Sequence, residues 1–188
     1  MGYTARLEEA FAWAAALHRD QVRKGADVPY VTHLLAVGAM VGELGGTEDQ
    51  VIAGFLHDAI EDQGVTRQEI AARFGDTVAD IVVACTDATT LPKPPWLPRK
   101  MAYLDHLRDQ PPLVKLVVAA DKLHNGRAIL RDLRILGEEL WGRFTATPAQ
   151  TVWYYQGILE ALTHEWEHPI LYDLDQVVTR LVAVQPRE

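Results

Sequence analysis

The chain has 188 residues, 48% hydrophobic and 23% charged, which is the balance of an ordinary globular domain with its own core. The net charge of −8 argues against a nucleic-acid partner, and the single cysteine excludes an internal disulfide framework. Neither a secretory leader nor an apolar run of membrane-spanning length is visible. We therefore expect a cytoplasmic protein with no membrane partner, folded as one domain over residues 1–188.

Hydrophobic periodicity predicts helices along almost the whole chain. Apolar residues recur at three- and four-residue steps, and capping boxes at Thr47 and Thr66 mark two helix starts. Thr147, followed by proline, marks a third start. The predicted helices cover 4–19, 31–44, 48–62, 66–75, 77–86, 98–109, 112–134, 148–164 and 170–184. The fold class is therefore all-α: a single-domain bundle of about eight to ten helices.

One long connection interrupts this pattern. The segment TDATTLPKPPWLP, residues 86–98, has four prolines in its second half and is predicted to be a loop. A loop of this length is the best candidate for a mobile segment. Whether residues 88–98 gate a site is left open by the sequence.

The stretch AGFLHDAIEDQG, residues 53–64, places four polar groups in an otherwise apolar helical pattern. On one continuous helix, His57 would stand above Glu61, and Asp58 above Asp62, in two adjacent columns. Buried carboxylates need a partner, and one cation can serve several of them at once. An ion between the two columns would therefore be within reach of both His57 and Asp58.

Two further ligand candidates lie elsewhere in apolar surroundings. His33 stands at a predicted helix start, and Asp121 interrupts an apolar run. Alone, His33 would be read as a helix-end hydrogen bonder, and Asp121 as an internal cap or the partner of a nearby basic residue. Together with the central doublet they favour a metal site. Two imidazoles and two carboxylates suit Mn²⁺, Fe²⁺, Co²⁺ or Zn²⁺ better than Ca²⁺ or Mg²⁺.

The order of these residues resembles that of the HD-domain metal-dependent phosphohydrolases. More narrowly, the chain resembles the hydrolase domain of the Rel/Spo alarmone enzymes and the stand-alone small alarmone hydrolases. The resemblance rests on the blocks HRDQVRKG (18–25), PYVTH (29–33), FLHDAIED (55–62), FGDTVADIVVACTD (74–87), LVKLVVAADKLHN (113–125) and RFTATPAQTVWYYQGILEAL (143–162). The chain departs from the family pattern after the central block, where Gln63 and Gly64 follow, and in its proline-rich loop.

The resemblance implies a bundle of the HD-domain type and a divalent metal centre. The family's metal ligands match His33, His57, Asp58 and Asp121. Mn²⁺ is the expected metal, and another divalent transition metal would also suit these ligands.

The resemblance also implies roles for residues around the metal centre. Glu61 and Asp62 match the family's catalytic pair, although the sequence does not show which of them is the base. Arg23, Lys24 and Asn125 match positions that face the nucleotide. The implied reaction is hydrolysis of the 3′-pyrophosphate of guanosine 3′,5′-bis(diphosphate), or of its pentaphosphate relative, to pyrophosphate and GDP or GTP.

Three other functions stay open at this point. The first is hydrolysis of another nucleotide, such as a nucleoside monophosphate or a phosphorylated dinucleotide. The second is a module that senses a nucleotide without turnover, and the third is a purely structural helical domain. The presence of every ligand and of both carboxylates favours an enzyme, and the Arg-Lys-Gly loop favours the alarmone. The oligomeric state is not visible in the sequence.

Overall fold

The computed structural model describes residues 2–24, 26–88, 92 and 94–186, and these residues form ten α-helices and one 3₁₀ helix. No strand forms among the described residues, where the β pairing is limited to an isolated bridge between Val22 and Pro29. The all-α prediction is confirmed. The helices are α1 Ala5–Leu17, α2 Val31–Glu43, α3 Glu48–Leu56, α4 Ala59–Gln63, α5 Arg67–Phe74, α6 Asp76–Cys85, α7 Trp96–Arg108, α8 Pro112–Leu136, α9 Pro148–Thr163 and α10 Ile170–Val184, with the 3₁₀ helix Gly137–Arg143 after α8.

Helix starts follow the local sequence closely. Thr47 and Thr66 form the predicted capping boxes, and Thr147, predicted as a helix start, forms a third with Gln150. A helix with the length and hydropathy of a membrane span is not found among the described residues.

The predicted helix over 48–62 is wrong in one respect, because it is two helices. α3 ends at Leu56, and Asp58 has φ −101° and ψ 1° before α4 begins. The His57 imidazole lies 2.8 Å from the Gly54 carbonyl oxygen through Nδ1. In a continuous helix that carbonyl would accept the backbone N–H of Asp58. The side chain thus competes with the helical bond, and the central doublet lies at a helix break.

The proline-rich segment also differs from its predicted bounds. Residues 89–91 and 93 of the predicted loop lie outside the described residues. α7 begins at Trp96, so Pro98 lies in its first turn, where a backbone N–H has no acceptor within the helix. α8 runs two residues beyond its predicted end, and the 3₁₀ helix that follows was not predicted.

Two glycines bring α2 and α3 close together. A Cβ atom at Gly54 would lie 3.0 Å from the Cα atom of Gly38, and one at Gly38 would lie 2.3 Å from the Phe55 ring. Backbone therefore packs directly against backbone at this crossing. The close approach brings His33, in the first turn of α2, to the C-terminal end of α3, where His57 lies.

We expect Gly54→Ala to lower the free energy of unfolding by about 2 kcal/mol, because the backbone of Gly38 cannot move aside as a flexible side chain would. Urea denaturation measures the change. Gly142→Ala is the matched control, since an added Cβ there meets nothing within 4 Å. Equal stability of the two variants would contradict the close backbone contact.

Candidate active site

The structure brings together the four side chains that the sequence singled out on three separate segments. His33 Nε2 lies 3.2 Å from His57 Nε2 and 3.2 Å from Asp121 Oδ1. His57 Nε2 lies 3.1 Å from Asp58 Oδ2. The two remaining imidazole–carboxylate distances are 3.8 Å for His33 to Asp58 and 3.6 Å for His57 to Asp121. Each of the two Nε2 atoms therefore lies within 3.8 Å of a carboxylate oxygen of both Asp58 and Asp121.

This spacing fits a single metal ion. Ligand atoms about 2.1 Å from an ion lie roughly 3.0 to 3.5 Å apart at the usual coordination angles. His33, His57 and Asp58 form a group that can hold a divalent ion, and Asp121 Oδ1 lies within 3.6 Å of both imidazole nitrogens. The two imidazoles are buried, at 0% and 2% exposure, which is unusual for polar groups without a strong partner.

The outer nitrogens of the two imidazoles are both occupied. His57 Nδ1 faces the Gly54 carbonyl, which can only accept, so this nitrogen carries the hydrogen and Nε2 is the nitrogen left to bind a proton or a metal ion. His33 Nδ1 lies 2.8 Å from Nδ1 of His124. Sequence analysis gave His124 no role. The signal that could have found it is its position three residues after Asp121, on the same side of α8.

Electrostatics keep the carboxylates of this cluster ionised. Burial raises the pKa of Asp121, but Lys122, whose Nζ lies 2.7 Å from Oδ2, and the imidazoles outweigh burial and lower it well below its usual value. Burial acts in the same way on Asp58, whose pKa is lowered chiefly by His57. Two carboxylates that stay charged at neutral pH are ready ligands for a cation.

The imidazoles respond to burial in different ways. Burial lowers the pKa of His33, and it lowers the pKa of His124 to about 4, with His33 adding to the effect. Burial also lowers the pKa of His57, but the carboxylates of Asp58 and Asp121 outweigh it and raise that pKa well above its usual value. A cation bound at the cluster would replace the proton on His57.

Each carboxylate is oriented by neighbours. The Tyr30 hydroxyl donates to Asp58 Oδ2 at 2.5 Å, and Asn125 Nδ2 donates to Asp121 Oδ1 at 2.5 Å. Tyr30 was not predicted to belong to the site. These donors hold the two oxygens that face the imidazoles, as partners of metal-binding carboxylates commonly do.

The predicted catalytic pair is divided between two environments. Glu61 lines a polar cavity of about 100 Å³ together with Asp58 and Asp121. Asp62 is exposed and accepts a hydrogen bond from Gln21 Nε2 at 2.8 Å. The break before α4 separates His57 from Glu61, whereas Asp58 and Asp62 stay one helical turn apart, with the backbone N–H of Asp62 donating to the Asp58 carbonyl at 2.9 Å.

A second cavity, of about 710 Å³, adjoins the first. Both cavities are lined by Lys100, Lys122, Asn125 and Tyr154. Two acidic residues line the larger cavity, against six basic ones among the described residues: Arg23, Lys24, Lys100, Lys122, Arg131 and Arg143. The cavity is therefore basic in a chain with a net charge of −8.

The three predicted substrate-binding residues all line this larger cavity. Arg23 Nη2 donates to Asn125 Oδ1 at 2.7 Å, so Asn125 connects Arg23 to Asp121. Arg23 Nη1 is buried and finds no hydrogen-bond partner within the described part of the chain. Lys24 is exposed, with Nζ 3.5 Å from Thr145 Oγ1. Donors thus remain available at the cavity wall.

A buried ion cluster fixes Lys100 where the two cavities meet. The Asp87 carboxylate is 4% exposed and accepts from Arg99 Nη1 at 2.5 Å and also from Lys100 Nζ. Lys100 Nζ also lies 4.6 Å from the centre of the Tyr154 ring. This cluster joins the first turn of α7 to the end of α6, and Asp87 was not singled out by the sequence.

The chain is a helical domain whose His–Asp cluster adjoins a basic cavity. These two features indicate the class of protein to which it belongs. The family model described as "HD domain" matches residues 10–141. The chain belongs to the HD-domain family, and the predicted resemblance is confirmed.

Named relatives and one solved structure indicate which members of the HD-domain family this chain resembles. The chain is 36% identical over 172 residues to the human guanosine-3′,5′-bis(diphosphate) 3′-pyrophosphohydrolase MESH1, covering 87% of this chain and 92% of that protein. It is 39% identical over 140 residues to the Xenopus tropicalis protein of the same name, covering 73% and 74%. A solved structure, described as a metazoan ortholog of SpoT that hydrolyses ppGpp and plays a role in starvation responses, superposes with a TM-score of 0.80 at 25% identity, covering 96% of this chain and 97% of that one.

We expect Asp87→Asn to lower the free energy of unfolding by about 3 kcal/mol at neutral pH, because two largely buried cations lose their counter-charge. Asp80→Asn is the control: its side chain is 62% exposed, and removing its pair with Arg67 should cost less than about 1 kcal/mol. Chemical denaturation measures both.

The cost of Asp87→Asn should also depend on pH. Arg99 and Lys100 outweigh burial and lower the pKa of Asp87. A carboxyl with a lowered pKa in the folded state stabilises the fold above its ordinary pKa of 3.8 and loses this effect as pH falls through the lower value. The difference between wild type and variant should therefore shrink below about pH 4. A pH-independent difference would contradict the ion cluster.

Proposed function

We propose that this chain is a metal-dependent phosphohydrolase that acts on guanosine 3′,5′-bis(diphosphate) or its pentaphosphate relative. It would release the 3′-pyrophosphate and leave GDP or GTP. The observation that carries the proposal is the junction of the His–Asp cluster, through a small polar cavity, with a cavity lined by six of the described basic residues. The activity in the printed names of its relatives supports this choice of substrate.

The metal would be held by His33 Nε2, His57 Nε2, Asp58 Oδ2 and Asp121 Oδ1, the atoms that face one another in the cluster. A nitrogen and oxygen set without a thiolate accommodates Mn²⁺, Fe²⁺, Co²⁺ or Zn²⁺, and we choose Mn²⁺ because of the family resemblance. When bound, such an ion polarises a phosphoryl oxygen and lowers the pKa of a coordinated water.

Glu61 is the residue that we assign as general base. Its place in the wall of the small cavity, which Asp58 and Asp121 also line, supports this role, because the attacking water would enter the same cavity. Asp62 lies toward Gln21, so we assign it a supporting role, holding the segment that leads to Arg23. The two members of the predicted pair would thus have unequal effects on the rate.

The larger cavity supplies the nucleotide site. Arg23 and Lys24 would bind phosphate or the guanine base, and Asn125 would link Arg23 to the ligand Asp121. Lys100 and Lys122 line both cavities, so we assign them to the pyrophosphate group, which would extend from the nucleotide site to the metal. These basic groups overcome the net negative charge because affinity follows the local potential.

The remaining predictions follow from this assignment. Residues 1–188 would act as one catalytic domain, in the cytoplasm, on a small phosphorylated guanine nucleotide. Neither nucleic acid nor a membrane would be a partner.

The proposal is tested by incubating Mn²⁺-loaded protein with guanosine tetraphosphate and following pyrophosphate release. Asp58→Ala should lower turnover by at least about 1,000-fold, because the ion supplies several kcal/mol of stabilisation. Glu61→Gln should lower kcat by about 100-fold or more while metal content stays near wild type. Asp62→Asn should have a clearly smaller effect.

Other outcomes would identify the alternatives. Faster hydrolysis of a nucleoside monophosphate or a phosphorylated dinucleotide would replace the substrate and keep the metal centre. Tight binding without turnover would indicate a sensing module. Full activity of Asp58→Ala would contradict the metal centre itself.

Lys24→Met should raise KM for guanosine tetraphosphate by about 10-fold and change kcat little, because a charged hydrogen bond to a phosphate is lost away from the reacting atoms. Arg134→Met removes the same charge from an exposed position outside the lining of the cavity and is the control. Steady-state kinetics at one ionic strength separate the two. Equal KM values in both variants would rule out Lys24 as a substrate contact.

A further inference from the structure

His124 is a half-buried residue that adjoins the His–Asp cluster. It lies on α8, three residues after Asp121, and its ring centre is 4.8 Å from that of His33. The two Nδ1 atoms are 2.8 Å apart, which is hydrogen-bond distance. Neither cavity includes His124 in its lining. It is therefore placed to act on His33 and not on a nucleotide.

A hydrogen bond between two neutral imidazoles has a direction, because each ring carries one N–H and one lone pair. If His33 Nδ1 donates to His124, His33 Nε2 keeps its lone pair toward the cluster. If His124 donates instead, the hydrogen of His33 moves to Nε2 and points at Asp121 Oδ1, 3.2 Å away. Only the first arrangement gives a metal ligand at Nε2.

The other imidazole of the cluster shows the same logic with a different acceptor. His57 Nδ1 faces a backbone carbonyl, that of Gly54, which can never donate. His33 is 0% exposed and receives its acceptor from a side chain 91 positions away. The Gly54 carbonyl fixes the tautomer of His57 by itself. The tautomer of His33 is fixed only if His124 presents the lone pair of its Nδ1 atom.

We propose that His124 is a positioning residue of the metal centre, which holds His33 in the tautomer and orientation that leave Nε2 open to the ion. The inference rests on the metal centre proposed above. It requires no contact of His124 with substrate and does not depend on which nucleotide is hydrolysed.

The test compares two substitutions that have nearly the same shape. Asn at position 124 keeps an acceptor one bond beyond Cγ, as Nδ1 is in histidine, while Leu puts a methyl group there. In calorimetric titrations with Mn²⁺ and no nucleotide, His124→Leu should weaken binding by about 10- to 100-fold. His124→Asn should stay within about threefold of wild type. His106→Leu, at an exposed histidine of α7, should change nothing.

A spectroscopic readout complements the titration. In ¹⁵N NMR spectra of protein loaded with diamagnetic Zn²⁺, His33 should carry its hydrogen on Nδ1 and coordinate through Nε2. His124→Leu should broaden or shift this signal, and His124→Asn should restore it. Urea denaturation of both variants confirms that the fold is retained.

Two results would overturn the inference, and a third would overturn the metal centre on which it rests. Unchanged Mn²⁺ affinity in His124→Leu would overturn it, because the acceptor would then be dispensable. Equal losses in the Leu and Asn variants would overturn it as well, because the ring would then act by its bulk alone. If Asp58→Ala also bound Mn²⁺ as wild type does, the metal centre itself would fail, which is a separate outcome.

Discussion

The crossing of α2 and α3 is the constraint on which the site depends. Gly38 and Gly54 let the two backbones touch, and this contact sets the separation of His33 from His57. Gly54 has a second use, because its carbonyl accepts the His57 imidazole and thereby ends α3. One residue therefore determines where the helix stops, how close its neighbour lies and which nitrogen of His57 faces inward. Fold and site share this residue, so neither can change alone.

Burial makes this cluster costly unless its charges are matched. Two ionised carboxylates and two imidazoles in the core carry a desolvation penalty of several kcal/mol per ion. Tyr30, Asn125 and Lys122 offset part of that penalty with short hydrogen bonds. Two of these bonds end on the carboxylate oxygens that face the imidazoles. A divalent ion held by the proposed ligands would stabilise the fold as well as serve the proposed chemistry.

The sequence predicted much of this arrangement because the relevant signals are local. Capping boxes mark helix starts within four residues, and polar residues inside apolar runs, such as Asp121, mark buried sites that need a partner. The four residues that converge were found in this way, together with their order along the chain. Arg23, Lys24 and Asn125 were predicted from the family resemblance, and all three line the larger cavity.

The features that were missed depend on contacts that leave no period in the sequence. The break at His57 arises because a side chain takes a backbone acceptor, which helical spacing does not reveal. His124 gains its role from a residue 91 positions earlier, and Tyr30 from one 28 positions later. The division between Glu61 and Asp62 follows from what each one contacts, since Glu61 lines the small cavity and Asp62 accepts from Gln21, 41 positions earlier. Local patterns thus predict elements and candidates, whereas partners depend on the packing.

A single turn of α8 carries four side chains of the candidate site. Asp121 faces the imidazoles, Lys122 reaches both cavities, His124 touches His33, and Asn125 connects to Arg23. Asp121 ends the continuous buried run of α8 that starts at Val114, and these contacts hold the other three, half-buried side chains in fixed relation to it. Groups held in place before substrate arrives need little reorganisation during reaction, which is where much of an enzyme's rate enhancement originates. The larger cavity is also lined by residues of a loop and of the 3₁₀ helix, such as Lys24 and Arg143. Under the proposed function, changes there would alter which nucleotide fits while leaving the proposed metal ligands intact, so substrate choice and chemistry would be carried by separable parts of the chain.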